Sequence, residues 1–263
     1  MIQNIMHVGK SGMSSTRDNI SLVSSNMVNS TTTGYKKLES EFQTLVSSNL
    51  DRDSYPNYSE NVATGTGVKT SEPFRRDEQG MIRETGKFCD FSIIGEGYFR
   101  VIKADGTYAY TRNGSFNIDA LGRMVDDYGN FLDITFANGY SYDNVNFSTN
   151  SDNHVNLTGT SGTEGIDRDG VIRVRGEVIG KINTYNSVGD DDLRSIRDNL
   201  FVPKEGVNMV QSKSSYIRQG FIELSNVNLG EEMTNLIALQ RAYQLNSKGV
   251  ITADEMWALI NGM

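Results

Sequence analysis

Apolar positions at the start of the chain recur at alternating steps of four and three: Ile2, Met6, Gly9, Met13, Thr16, Ile20, Val23 and Met27. Heptad spacing of this kind predicts an amphipathic helix with a seam that lies against another helix. The outward positions are polar: Lys10, Ser14, Arg17, Asp18, Ser21 and Ser25. Gly9 and Thr16 are weak knobs in this seam. The helix is expected to stop near Asn29, ahead of Ser30-Thr-Thr-Thr-Gly34. Consecutive β-branched residues and a glycine favour extended or turn backbone there.

A second stripe begins after Asn228, an N-cap residue with Glu231 at N3. Its apolar positions are Leu229, Met233, Leu236, Ile237, Tyr243, Val250, Trp257 and Ile260. Gln240, Ser247 and Asp254 fall on the same track and make it less pure. Gly249 costs about 1 kcal/mol against alanine in a helix and is the expected place for a bend. Between the two helices the period changes to two. Phe91–Ile94 and Tyr98–Ile102 are apolar runs across a glycine turn, and Thr107-Tyr-Ala-Tyr-Thr-Arg112 alternates. Ile172 to Ile182 reads as a hairpin turning near Gly176. Short strands at close spacing predict an antiparallel β domain. The stretch 144–169 is poor in apolar residues and reads as surface loop.

Glycine and proline placement sharpens this division. The chain has 263 residues with 26 glycines and 3 prolines, Pro56, Pro73 and Pro203, so both ends are proline-free and free to form long helices. Sixteen of the glycines lie between Gly80 and Gly189, as a turn-rich middle requires. The fold class is therefore α+β: N- and C-terminal helices paired as a coiled coil, with a central, mainly antiparallel β domain. The boundaries read as 1–30 for the N-terminal helix, 31–70 for an extended connector and 71–204 for the β-rich domain. A return connector (205–224) and the C-terminal helix (225–263) follow.

Charge and composition exclude several functions. Net charge of −8 is the wrong sign for a phosphate backbone, so no nucleic-acid partner is expected. No stretch approaches the roughly 20 apolar residues of a spanning helix, so no membrane insertion is expected. Met1 to Val8 shows no basic segment followed by an apolar one. The chain is thus expected either to stay in the cytosol or to leave without a cleaved signal. One cysteine forbids an intrachain disulfide, and the two histidines, His7 and His154, lie far apart without partner motifs.

The usual catalytic patterns fail on their spacing. Gly9-Lys10-Ser11 would need a glycine at Asn4 to be a phosphate loop. Gly65-Thr-Gly67 and Gly95-Glu-Gly97 lack the third glycine of a dinucleotide site. Asp167-Arg-Asp-Gly170 imitates a calcium loop, but Gly165 and Gly176 stand at its two key ligand positions. Cys89 reads as a small buried hydrophobe. No catalytic, cofactor-binding or metal-binding residue is assigned, and the chain reads as a non-enzyme.

Four stretches carry a family resemblance. Ser25-Asn-Met-Val-Asn-Ser-Thr-Thr-Thr-Gly-Tyr-Lys36 resembles the N-terminal signature of bacterial flagellar basal-body rod and hook proteins. The stretch from Gly220 through Leu229-Gly-Glu-Glu-Met-Thr-Asn to Lys248, continued by Thr252-Ala-Asp-Glu-Met256, resembles the C-terminal one. Gly95-Glu-Gly-Tyr-Phe-Arg-Val101 and Tyr110-Thr-Arg-Asn-Gly to Leu132 resemble the family's β-domain pattern. Gly249 departs from the helix-forming or apolar residue expected there. The matching signature positions are Asn26, Asn29, Thr33, Gly34, Asn226, Glu232, Gln240, Arg241 and Tyr243. Length resembles the long-rod members, and Asn226-Val-Asn-Leu and Asn246-Ser-Lys resemble the distal-rod branch.

The resemblance implies a structural subunit whose terminal helices polymerise into a hollow drive shaft between motor and hook. The implied assembly seam is Ile2, Met6, Met13, Ile20, Val23, Met27, Leu229, Met233, Leu236, Tyr243, Val250 and Trp257. Implied partners are further copies in a helical homopolymer, other rod proteins, hook subunits and the flagellar export apparatus. The implied location is the basal body in the cell envelope and periplasmic space, reached without a cleaved signal peptide. Two alternatives stay open: a proximal-rod or hook subunit of the same family, and a cytosolic enzyme or binding module built on the β middle.

Overall fold

A computed structural model describes residues 2–45, 47–49, 63–142, 145, 147, 165–174, 176–187, 189, 192–196, 199–212 and 214–262. Most of the stretch read as the loop 144–169 lies outside them. The chain divides into two compact units. A helical unit holds residues 1–30, 37–76 and 227–263, and a β unit holds 31–36 and 77–226.

Two helices dominate the helical unit, α1 (Ile2–Val28) and α2 (Leu229–Asn261). Helix α1 ends one residue before Asn29, which opens a 3₁₀ turn (Asn29–Thr31). Helix α2 starts as its local chemistry dictates: the Asn228 side chain accepts from the backbone N–H of Gly230 and Glu231. Glu231 and Glu232 sit in its first turn, where the helix dipole favours negative charge. The helix runs unbroken through Gly249.

The rest of this unit is an antiparallel ribbon. Leu38–Glu39 pairs with Phe74–Arg75, Phe42–Thr44 with Val68–Thr70, and Ser47–Asn49 with Ala63–Gly65. Four of these six strands begin within residues 31–65. Hydroxyls fix the ribbon on α1: Ser11 Oγ accepts from Val68 N at 3.2 Å, and Ser15 Oγ lies 2.5 Å from Thr70 Oγ1.

Among the described residues of the β unit every strand pair is antiparallel. The largest sheet runs Asn117–Ile118, Met124–Val125, Phe131–Leu132, Tyr98–Ile102, Tyr108–Thr111, Leu200–Pro203, Leu193–Ser195, with Thr184–Asn186 also on Tyr98–Ile102. Ile134–Phe136, Glu177–Ile182, Val171–Val174 and Gly165–Ile166 make a second sheet, and its hairpin turns at Gly176. Alternation decides the packing. Phe99 and Val101 enter a core with Phe91, Phe116, Leu132 and Ile172, whereas Tyr98 joins Tyr110, Leu193 and Phe201 in a smaller cluster.

The runs Phe91–Ile94 and Tyr98–Ile102 do not pair with each other across their glycine turn. The first pairs with Tyr216–Gln219, the second with Tyr108–Thr111. Val145 and Phe147, read as part of a surface loop, are buried in the main core. Single apolar residues within a polar stretch leave no periodic signal, yet two such side chains are enough to close a core edge.

Candidate functional site

Helices α1 and α2 pack antiparallel. A Cβ on Gly9 would lie 2.5 Å from Val250 Cγ2, and one on Gly12 would lie 3.0 Å from Asn246 Nδ2. Gly9, a weak knob in the sequence seam, is thus a place where the second helix comes close, as is Gly12 outside that seam. In the Gly9→Ala variant, better helix propensity contributes about 1 kcal/mol. Overpacking against Val250 costs about 1–3 kcal/mol. The single variant is expected to destabilise the helices, and adding Val250→Ala is expected to restore them. Thermal unfolding followed by circular dichroism at the helix band reads this cycle.

Among the seam residues of α1, Val23 is buried, and Met6, Met13, Ile20 and Met27 are half-buried. The side chain of Ile2 lies outside the described residues. Lys10, Ser14, Arg17, Asp18, Ser21 and Ser25 all face solvent. Helix α2 behaves differently. Leu236 and Val250 are half-buried, but Leu229, Met233, Tyr243 and Trp257 are exposed. The α2 residues that reach α1 include Glu232, Asn246 and Val250, and Ala253 of α2 is buried.

At the far end of the helix pair lies a buried polar centre. Asn26 is fully buried; its Nδ2 donates to Leu38 O at 2.8 Å and to Glu232 Oε2 at 3.2 Å, and its Oδ1 accepts from Leu38 N at 3.0 Å. The Lys37 ammonium lies 2.9 Å from Glu232 Oε1, 3.2 Å from Glu39 Oε1 and 3.4 Å from Glu231 Oε1. Burial works against the Lys37 charge, but its bonds to Glu232 and Glu39 outweigh it and hold Lys37 above the ordinary lysine range. The Arg76 hydrogen bond holds Glu39 below the usual carboxylate range.

The β unit has its own ionic centre, made by Lys36, Arg112 and Glu223. All three side chains are nearly inaccessible. Lys36 Nζ lies 2.7 Å from Glu223 Oε1, and Arg112 Nε lies 3.0 Å from Glu223 Oε2. Gly80 N donates to Glu223 Oε1 at 2.8 Å, and Lys36 Nζ donates to Glu78 O at 2.7 Å. Arg112 also donates to the carbonyls of Gly95 and Gly97 and so clamps the glycine turn. Burial, the dominant cause, pushes Lys36 down; Glu223 opposes this and Arg112 reinforces it.

The remaining signature positions lie around these centres or on α2. Thr33 Oγ1 donates to Asn113 Oδ1 at 2.7 Å, Gly34 N donates to Glu223 O at 2.8 Å, and Asn226 Nδ2 donates to Glu78 O at 3.1 Å. Asn29 Nδ2 donates back to Ser25 O. Gln240, Arg241 and Tyr243 are exposed on α2. Sequence reading did not single out Lys36, Lys37, Arg112 or Glu223. One signal was present: Glu223 interrupts the apolar run Phe221-Ile-Glu-Leu224, where a carboxylate needs a partner.

Burial and the neighbouring Asp90 push the Cys89 thiol up to about 12, so it stays protonated at neutral pH. Among the described residues no group of three or more His, Cys, Asp or Glu side chains is arranged to hold a metal ion. No described helix is long and apolar enough to cross a membrane.

Two family models match segments of this chain. Residues 218–263 match the family model described as flagellar basal body rod FlgEFG protein C-terminal. Residues 92–174 match the one described as flagellar hook protein FlgE/F/G D1 domain. A flagellar basal-body rod protein FlgG of Buchnera aphidicola (subsp. Acyrthosiphon pisum) is 32% identical, over 95% of both chains. The protein of the same name in Borreliella burgdorferi is 31% identical, over 96% of both. The chain belongs to the flagellar basal-body rod and hook protein family. The C-terminal family match spans Glu223, Glu232 and all of α2, and the D1 match spans Arg112. Both ionic centres therefore draw residues from the family-matched segments.

Proposed function

We propose that the chain is a structural subunit of the flagellar basal-body rod, of the distal type, and that it polymerises through its terminal helices. The observation that carries this reading is α2. In a family of rod and hook proteins, this chain keeps a 33-residue helix that leaves Leu229, Met233, Ile237, Tyr243 and Trp257 exposed beside its contact with α1. Exposed apolar surface on this scale marks an interaction site. In the polymer α1 and α2 pair as a coiled coil, and the seam residues Met6, Met13, Ile20, Val23, Met27, Leu236 and Val250 lie inside the helical layer. Leu229, Met233, Tyr243 and Trp257 make contacts with other copies.

Neighbouring subunits stack heterologously, which builds a filament rather than a closed ring. The shaft transmits torque from motor to hook in the cell envelope. Other rod proteins and hook subunits bind its two ends, and the flagellar export apparatus delivers the chain. Helical residues 1–30 and 225–263 form the inner layer, the β-rich residues 71–204 form the outer one, and segments 31–70 and 205–224 join them.

Deleting residues 225–263 is expected to abolish motility and incorporation into basal bodies while the remaining β unit stays soluble. Swimming assays and immunodetection in isolated basal bodies read both. Motility that survives the deletion would overturn the reading.

A further inference from the structure

The sequence holds three Asn-Gly pairs, Asn113-Gly114, Asn138-Gly139 and Asn261-Gly262. Asparagine is thermolabile, because the backbone nitrogen of the next residue can attack its side-chain amide. A glycine in that next position puts no Cβ in the way and lets the backbone turn toward the amide. The fold treats the three pairs differently.

Asn113 is held in place. Its Oδ1 accepts from Thr33 Oγ1 at 2.7 Å and from Ser115 N at 3.0 Å. Gly114 is buried, its carbonyl accepts from Phe91 N at 2.8 Å, and a Cβ on it would overlap Phe91 O. Attack on this amide needs both side-chain bonds broken and the peptide moved against a neighbouring strand. Asn261 is the last residue of α2, and the Gly262 nitrogen donates to Ala258 O at 3.0 Å. The attacking atom is therefore engaged in the helix end.

Asn138 has neither protection. Residues Ala137 to Tyr140 form a β-turn closed by Tyr140 N donating to Ala137 O at 3.1 Å. Gly139 has φ of +97° and Asn138 does not have positive φ, the pattern of a type II turn. Asn138 and Gly139 are both exposed. Among the described residues, neither the Asn138 side chain nor the Gly139 N–H makes a hydrogen bond. A Cβ on Gly139 would meet nothing within 4 Å, so the space around its nitrogen is open.

We propose that Asn138 is a modification site of the folded chain, where the amide converts to a mixture of aspartate and isoaspartate. The Gly139 nitrogen gives up its proton and attacks Asn138 Cγ. A new C–N bond closes a cyclic imide, and the side-chain nitrogen leaves with that proton as ammonia. Water then adds to either imide carbonyl and opens the ring, leaving a carboxylate on the side chain or in the main chain's place. The isoaspartate product lengthens the backbone by a methylene and takes Tyr140 N away from Ala137 O. The change stays local, because Tyr140 Oη still donates to Glu177 Oε2 and Tyr142 Oη to Leu132 O.

The test incubates the full-length chain at mildly alkaline pH, with and without guanidinium chloride, and follows the three sites by peptide mass spectrometry. In the folded chain Asn113 is expected to convert at least about thirtyfold more slowly than Asn138, since two hydrogen bonds must break first. Asn261, with one bond to break, is expected to be about fivefold slower. In denaturant the three rates are expected to converge. Fragmentation that separates isoaspartate from aspartate is expected to find both at position 138. Asn113 converting as fast as Asn138 in the folded chain overturns the proposal. A gap of the same size in denaturant also overturns it, because sequence and not fold would then set the order. Aspartate alone at position 138 overturns the imide route.

Discussion

Replacing Glu223 with leucine lowers the stability of the β unit by about 3–5 kcal/mol, the effect of breaking a buried ion pair from one side. Glu223 is the counter-charge of both Lys36 and Arg112, at 2.7 and 3.0 Å, and all three side chains are shut off from water. Without it, two cations remain buried beside each other. The Gly80 N–H loses its acceptor as well. Urea unfolding followed by near-ultraviolet circular dichroism, which reports the aromatic core, measures the loss.

A second variant separates charge imbalance from lost packing. Changing all three residues together to apolar side chains of similar volume removes the desolvation cost along with the attraction. It is expected to be far less damaging than the single change. A triple variant as unstable as Glu223→Leu would mean that packing, and not charge, dominates.

The pH dependence has a definite sign. Lys36 is lowered from its ordinary value of 10.5 in the folded chain. Between the lowered value and 10.5 the unfolded chain binds more protons, so stability from this group rises with pH across that window. Removing Glu223 takes away an interaction that raises Lys36, so the window widens downward and the variant gains more from alkaline pH than the parent.

Gly34→Ala is the second large effect. Gly34 has φ of +66°, where a side chain is strained by about 1–3 kcal/mol. Its Cβ would stand 2.5 Å from the backbone carbonyl carbon of Arg112 and 2.5 Å from Asn113 N. Backbone cannot rotate aside as a side chain can, so overpacking adds about 1–3 kcal/mol. The same movement would disturb the Gly34 N–H bond to Glu223 O. The expected sum is about 2–6 kcal/mol, with the β unit unfolding at a clearly lower urea concentration. Gly86→Ala is the control. It also has positive φ, at +70°, but a Cβ there meets nothing within 4 Å, so it isolates the backbone strain. Equal losses for the two variants would show that the close approach at Gly34 contributes nothing.

Features with a local cause are legible in the sequence. The stop of α1 at Val28 follows from Ser30-Thr-Thr-Thr-Gly34, and the start of α2 follows from Asn228 with Glu231. The hairpin turn at Gly176 follows from period-two runs on either side of a glycine. In each case the cause sits within a few residues of its effect. The four family motifs could also be read, because they depend on residue order alone.

The ionic centres are a different matter. Lys36 and Glu223 are 187 residues apart in sequence, as the hydrogen bond between them records, and Asn26 and Glu232 are 206 apart. No periodicity links such positions, so a buried charge in one segment does not name its partner in another. Gly9 looked like a flaw in the seam, and only the approach of Val250 shows it to be a contact.

By itself the sequence determined two proline-free terminal helices, a glycine-turned antiparallel β middle, and membership of a family recognised by motif order. Those properties are local, set by period, caps and turn residues. Only the tertiary structure decided which side of α2 meets α1, because its apolar residues are spread around the helix and polar residues interrupt the stripe they form. It also decided that Leu229, Met233, Tyr243 and Trp257 face outward while Glu232 and Ala253 are buried. Packing made that choice: the helices close at Gly9 and Gly12, where the absent side chains admit Val250 and Asn246 of α2.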